Sequence, residues 1–387
     1  MVTRADFMPR SPGTLTDIGS GFVAFVPASL PPVIEWTGEL VASLSAADQA
    51  LGQLAGVGRT LPNPHLLIRP FLQKEAVLSS RIEGTRASLA DLLLFELEPT
   101  SEPEVADARE VRNYVLALEH GLERIETLPI GTRLLCELHE ILLDGVRGAG
   151  AAGELRRLQV HIGPTRRMND ATFIPPPANE IPRLLGELEH FIHERKELPP
   201  LIRFALTHYQ FEAIHPFHDG NGRIGRLLVS LLLCAEGLLP RPLLYLSAYF
   251  EKNRADYYRT LREVSTQGLW NQWLAYFLEG VREQSYGAIA TANRLAALRA
   301  EYHERLHAPR ATGLLHKLVD ALFISPAATI PQAAQLLEVT YRAAQQNVER
   351  LVAADILREI TGRKRNRIFI SDEIVHAIEG TDRERED

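Results

Sequence analysis

Residues 215–226 read His215-Pro216-Phe217-His218-Asp219-Gly220-Asn221-Gly222-Arg223-Ile224-Gly225-Arg226 and run directly into the apolar segment IGRLLVSLLLCAEGLL. Positions 215–222 are too rich in Pro, Gly, Asn and Asp for a helix, whereas helical apolar spacing sets in from Arg223. The stretch is therefore a loop that opens a helix. Gly220-Asn221-Gly222 can adopt the positive-φ conformations that turn successive N–H groups inward, and the helix N-terminus adds partial positive charge, which together make an anion cradle. Arg223 and Arg226, three apart on one face of the first turn, suit a polyphosphate. Asp219 is a hard oxygen ligand beside that cradle, fit for Mg²⁺. His215 can accept a proton near neutral pH. A rival reading makes His215, His218 and Asp219 a metal cage, which leaves the glycines and arginines without a role.

Outward from this stretch the chain is mainly α. The segments LVASLSAADQALGQLAG, FLQKEAVLSSRIEGT, EVRNYVLALEHGLERI and TRLLCELHEILLDGV keep the 3.6-residue period, with breaks at 61–64 and around 99–103. Further helices are expected at about 181–195, 199–213, 223–237, 254–266 and 270–304. Residues 155–178 differ: LQVHIG and TFIPPP flank the polar turn GPTRRMNDA with strand-like alternation, which predicts a short β-hairpin that Pro175 to Pro177 would stop. Residues 1 to about 34 read as an extended arm. Past 308 come three short helices, about 311–323, 330–337 and 341–354, then ILREIT and RIFIS around a basic turn, the order of a winged helix-turn-helix module. The expected organisation is an arm and first helices (1–110), a helical core with the hairpin (111–305) and the winged module (308–380).

Composition bounds the rest. The chain has 387 residues, 45% hydrophobic and 24% charged, with a net charge of −7 that argues against a chain-wide nucleic-acid surface. Residues 310–370 nevertheless hold nine Lys/Arg against five Asp/Glu, or +4, so duplex binding through Arg363, Lys364, Arg365 and Arg367 of the wing is a second functional reading. Cys136 and Cys234 lie in apolar helical patterns and read as reduced structural thiols. With no apolar run of about 18 residues and no apolar signal segment in MVTRADFMPRSPGTL, a cytoplasmic protein without membrane contact is expected.

The stretch 215–226 resembles the signature of the Fic (Fic/Doc) family, His-Pro-Phe-x-Asp/Asn-Gly-Asn-Gly-Arg-x-x-Arg, at every specified position. The resemblance implies a Fic-type helical bundle that transfers AMP from ATP to a Ser, Thr or Tyr hydroxyl of a protein, with Mg²⁺ and release of pyrophosphate. It makes His215 the base, Asp219 the Mg²⁺ ligand, and Gly220, Asn221, Gly222, Ile224 and Gly225 part of the nucleotide-binding stretch, with Arg223 and Arg226 at the β/γ end. Residues 153–178 look like the family's flap, on which a target protein docks, with Val160, His161, Ile162 and Gly163 toward the nucleotide. SAYFEKNRADYYRTL resembles the nucleoside-binding segment and nominates Tyr257 and Tyr258. Residues 79–84, Ser79-Ser80-Arg81-Ile82-Glu83-Gly84, match the inhibitory pattern Ser/Thr-x-x-x-Glu-Gly/Asn. By that resemblance Glu83 pairs with Arg226 and denies it to the γ-phosphate, so Ser79, Glu83 and Gly84 form a brake. Auto-modification, removal of AMP at the same site, a different nucleotide donor and a homodimer through the helical core are further implications of the family.

Overall fold

The computed structural model describes residues 2–60, 65–98, 106–146, 149–194, 196–306, 313–363 and 365–380. The breaks expected at 61–64 and 99–103, the boundary at 308 and Lys364 of the wing lie outside them. The chain is mainly helical. The N-terminal helices are α1 (Gly38–Thr60), α2 (His65–Ile82), α3 (Leu89–Leu97), α4 (Ala106–Arg124) and α5 (Thr132–Leu142). After the flap come α6 (Ile181–Glu194), α7 (Pro200–Ile214), α8 (Asn221–Ala235), α9 (Ser247–Lys252), α10 (Arg254–Gln267) and α11 (Trp270–Arg305).

Helices α7 and α8 are the centre of the bundle. Nearly every α7 side chain from Leu201 to Ile214 is buried, as is α8 from Arg223 to Leu233, which is the pattern of helices enclosed on all sides. The 36-residue α11 runs alongside and carries α1 along its length; its buried Trp273 indole donates to the Ala205 carbonyl of α7 at 2.9 Å. Helix α2 lies across α4 and α9 through the buried Glu75, which accepts from the Tyr114 hydroxyl (3.2 Å), the Ser247 N–H (3.1 Å) and the Ser247 hydroxyl. These contacts fix the end of α2, where Ser79 and Glu83 lie.

The expected extended arm instead contains an antiparallel hairpin, β1 (Gly13–Asp17) and β2 (Val23–Pro27), turning through Gly19, Ser20 and Gly21, all at positive φ. Its Phe25 N–H donates to the Ile174 carbonyl at 2.9 Å and so braces the flap. The flap itself, where a hairpin was expected, closes through a single antiparallel bridge between Ile162 and Phe173. The cause is Pro175 to Pro177, which have no N–H to donate. Side chains of the opposite limb serve their carbonyls instead: Gln159 donates to Pro175 O (2.8 Å) and Arg156 to Pro176 O (2.6 Å).

The C-terminal segment runs α12 (Gly313–Leu322), β3 (Ala327–Thr329), α13 (Ile330–Leu337), α14 (Tyr341–Ala353), β4 (Arg358–Glu359), β5 (Ile368–Ile370) and α15 (Asp372–Glu379), with sheet order β3-β5-β4. The three helices and the strand pair match the reading; β3 and α15 add to it. Helix α15 seats against α2, where Lys74 donates to the Ile378 carbonyl at 2.7 Å. Buried apolar side chains from Phe25 to Ile378 form one continuous cluster across all three expected segments. Both thiols are free and half-buried, and burial raises both pKa values, that of Cys234 to about 12. Among the described residues no helix is long and apolar enough to cross a membrane.

Candidate active site

Helix α7 stops because His215 adopts the left-handed conformation (φ 51°, ψ 61°) and Pro216 follows with no N–H. Helix α8 starts two residues earlier in the glycine run than its apolar spacing suggests, with Gly220 at φ 78° as N-cap. The Asn221 side chain closes the loop between them: it accepts from the Phe217 N–H (2.8 Å) and donates to the Phe217 carbonyl (2.9 Å). Phe217 is fully buried and stacks on His139, with ring centroids 3.9 Å apart and planes within 9°. The Gly153 N–H donates to His139 Nδ1 (3.0 Å), so Nε2 carries the proton and donates to the Asp219 carbonyl (3.0 Å). Burial lowers the His139 pKa, which suits this neutral tautomer. The loop is thus fixed from both sides, leaving the first N–H groups of α8 without helical partners at its mouth.

The guanidinium groups expected on one helical face both carry partners. Buried Arg226 donates to the Ser79 hydroxyl (2.8 Å), the Ser79 carbonyl (2.9 Å) and Glu83 Oε1 (2.7 Å). Arg223 donates to Glu110 (3.1 Å), which also accepts from Thr85, and lies 3.7 Å from Asp219. Helix α2 ends at this point because Gly84 takes φ 102°, letting the Thr85 N–H turn back to the Ser80 carbonyl (3.2 Å). Gly222 has to be glycine for the same contact: a Cβ there would fall inside Glu83 Oε1 and 2.9 Å from the Arg226 guanidinium.

Electrostatics follow this geometry. Burial works against the Glu83 carboxylate, but Arg226, with help from Arg223 and His215, holds its pKa below the ordinary value. Burial pushes His215 down to about 4, the Arg156 cation adding to the effect while the Glu212 carbonyl opposes it. His215 is therefore a neutral imidazole throughout the physiological range. Burial pushes the Glu212 carboxyl, packed against Gly225, up to about 8, and Glu83 raises it further against the pull of Arg226. A carboxyl with a raised folded pKa favours the fold below its unfolded value of about 4.5, and that contribution is lost as pH climbs through about 8. Thermal unfolding of Glu212→Gln should accordingly show a smaller loss of Tm between pH 6 and 9 than wild type; parallel curves for the two proteins would contradict this.

His215, Asp219 to Arg226, Ser79, Glu83 and Gly84 surround one mouth. Of the two nominated tyrosines, Tyr258 is partly exposed toward it, its hydroxyl pKa raised by burial and by Glu83. Tyr257 is buried, stacked on Phe250 at 4.5 Å, with its hydroxyl on His208 Nε2 (2.8 Å). His208 in turn donates from Nδ1 to the Gly225 carbonyl (3.0 Å), so Tyr257 supports the first turns of α8 through it. In the flap, Val160, His161 and Ile162 bond within the flap itself, to Gln159, Thr165 and the Phe173 pair. Gly163 permits the close approach of Asp170, whose carbonyl a Cβ would meet at 2.7 Å. His218 is exposed, and among the described residues no three His, Cys, Asp or Glu side chains are grouped to hold a metal, so the His215/His218/Asp219 cage does not form. Reading the sequence did not find Glu75, Glu110, His139, Arg156 or Glu212. Each acts across the fold, and none stands in a local pattern that would mark it.

Comparison with known proteins agrees with this arrangement. The Fic/DOC family N-terminal model matches residues 41–123 and the Fic/DOC family model residues 129–233. A Drosophila grimshawi protein named protein adenylyltransferase Fic is 30% identical over 167 residues, 41% of this chain and 32% of that protein. A probable protein adenylyltransferase of Aquifex aeolicus is 37% identical over 93 residues, 24% of this chain and 27% of that one. The chain therefore spans about a third of the length of these relatives. The crystal structure of a Fic family protein from Desulfovibrio desulfuricans G20 shares the fold over 88% of this chain and 98% of its own, with TM-score 0.58 and 20% identity. A Fic domain containing signaling protein from Bacteroides thetaiotaomicron does so over 66% of this chain and 97% of its own, with TM-score 0.51 and 19% identity. With both family models matched in succession and the signature loop built as described, residues 41–123 and 129–233 of this chain belong to the Fic/DOC family.

Proposed function

We propose that this site transfers AMP from ATP to a protein hydroxyl and that the wild-type chain holds it restrained. The observation that carries the reading is the Glu83–Arg226 pair, 2.7 Å long, lodged at the mouth of a glycine-led helix start with neutral His215 at its rim. The mouth suits a polyphosphate: helix N–H groups, Arg223 and Arg226 converge on it. Asp219, half-exposed beside Arg223, is the carboxylate that would hold Mg²⁺, with phosphate and water oxygens completing the shell. When bound, that ion supplies charge neutralisation to the phosphates.

His215 takes the proton of the target hydroxyl, whose oxygen bonds to the α-phosphorus as the bond to pyrophosphate breaks. The charge that develops on pyrophosphate is met by the α8 N-terminus and the arginines. Glu83 opposes this by occupying Arg226 and by placing a negative charge where the γ-phosphate belongs. The names of the relatives, protein adenylyltransferases, support the same reaction class. The test is to incubate the Glu83→Gly chain with labelled ATP, UTP, GTP and CTP. Labelling from ATP is expected to dominate; labelling from another nucleotide would reassign the donor, and none from any would reject the reading.

A second reading, duplex binding by the C-terminal segment, has support in the order α13, α14, β4, β5 and in the basic turn before β5. Against it, Arg363 pairs with Glu98 (2.8 Å) and Arg367 lies 3.7 Å from Glu349. An electrophoretic shift with the full chain and a duplex at low salt decides it, absence of a shift removing the reading.

A further inference from the structure

Arg156 is a buried cation, 5% exposed, and among the described residues its guanidinium meets main-chain oxygens and no carboxylate. A charge taken out of water without a counter-ion is costly, and burial lowers its pKa to about 10, so the group has to be held by something else. Its partners are all main-chain carbonyls: His215 (2.8 Å), Pro176 (2.6 Å), Leu158 (3.1 Å) and Ile214 (3.4 Å). Its own N–H donates to the Pro216 carbonyl at 2.9 Å.

These acceptors belong to three different things. Ile214 and His215 are the end of α7, whose last carbonyls have no helical donor. Leu158 and Pro176 are the two limbs of the flap, which share only one bridge of their own. Pro216 begins the loop that leads to the α8 N-terminus. One guanidinium therefore ties both flap limbs to the residue proposed as the base.

His215 also sits at φ 51°, a left-handed conformation that costs a residue with a Cβ about 1 kcal/mol. Among the described residues the only side-chain donor to its carbonyl is Arg156. Without that bond the residue can relax toward an ordinary conformation, which would swing the imidazole away from the mouth. Planar geometry matters too, because a lysine ammonium is a point donor and cannot span acceptors on both limbs and the helix end.

The geometry points to Arg156 as a positioning residue that sets His215 and the flap in register, so that a target laid along the flap presents its hydroxyl to the imidazole. This rests on the proposed transfer reaction, and the experiment separates the two. In the Glu83→Gly full chain, Arg156→Lys and Arg156→Gly are compared for single-turnover labelling at saturating ATP, for ATP affinity by equilibrium titration, and for amide hydrogen exchange over 157–177. The expected result is a labelling rate lower by about thirtyfold or more, because misplacement by an ångström is enough for such a loss. ATP affinity should stay within about threefold, since the phosphate mouth is not touched. Exchange should rise in the flap and not in α7 or α8, and millimolar guanidinium should restore part of the Arg156→Gly rate.

Equal losses of rate and ATP affinity, or exchange rising throughout the chain without guanidinium rescue, would make Arg156 an ordinary core residue and overturn the proposal. Unchanged flap exchange would overturn it by a readout that does not depend on activity. If the parent Glu83→Gly chain labels from no nucleotide, the transfer reading fails instead, while flap exchange still reports on Arg156.

Discussion

In the Glu83→Gly chain, His215→Ala is expected to lower AMP transfer by about 10³-fold, the middle of the range for removing a positioned general base. ATP affinity should change by no more than about threefold, because the imidazole lies at the rim of the phosphate mouth and makes no bond to Arg223 or Arg226. The pH profile makes the assignment sharper. An imidazole of ordinary pKa, about 6.5, loses half of its base form there. With a folded pKa depressed to about 4, His215 keeps its base form well below that, so the Glu83→Gly rate should be level from pH 6 to 8. Removing the Glu83 charge, which raises the His215 pKa, pushes it lower still. A rate that falls with a midpoint near 6.5, or a His215→Ala chain that labels at the parent rate, would remove His215 from the role of base.

The second large effect is Glu83→Gly itself, expected to raise self-labelling by about 10²-fold over wild type. The magnitude comes from the contact: a charge-assisted hydrogen bond to a buried guanidinium is worth up to about 3 kcal/mol, and each 1.4 kcal/mol is about tenfold. Because the Glu83 pKa is held below its ordinary value, the pair persists at any pH above about 4.5 and weakens only as acid protonates the carboxylate. Release of the brake by mild acidification should therefore be absent between pH 6 and 8. Labelling of wild type equal to that of Glu83→Gly at neutral pH would show that the carboxylate is not a brake.

What the sequence disclosed divides along a physical line. The loop 215–226 was readable because twelve contiguous residues carry both its turn chemistry and its charges. The Glu83–Arg226 contact was foreseeable because Ser79 and Glu83 are one helical turn apart and match a family pattern, although Arg226 is 143 residues from Glu83 and had to come from family resemblance. The bundle followed from apolar periodicity. What escaped was held together by distant partners: Glu110 meets Arg223 across 113 residues, and His139 reaches Asp219 across 80. The flap misled for a local reason, since alternation promised a ladder that three prolines cannot complete. The hairpin β1–β2 was missed although GTLTD and VAFVP flank Gly-Ser-Gly, because proline and glycine richness on either side dominated the reading.

Gly222 has a bearing on how this protein could be altered. The opening left by its missing side chain is where the Glu83 carboxylate now sits, and on the proposed reading it is also the approach of a phosphate to the start of α8. On that reading, inhibitor and substrate share one doorway. A methyl group there would press on the Glu83 carboxylate and the Arg226 guanidinium, the far ends of two side chains. On the proposed reading, variation that lifts the restraint arises at the end of α2 and just past it, at Ser79, Glu83 or Gly84, which makes that segment the adjustable part of the site.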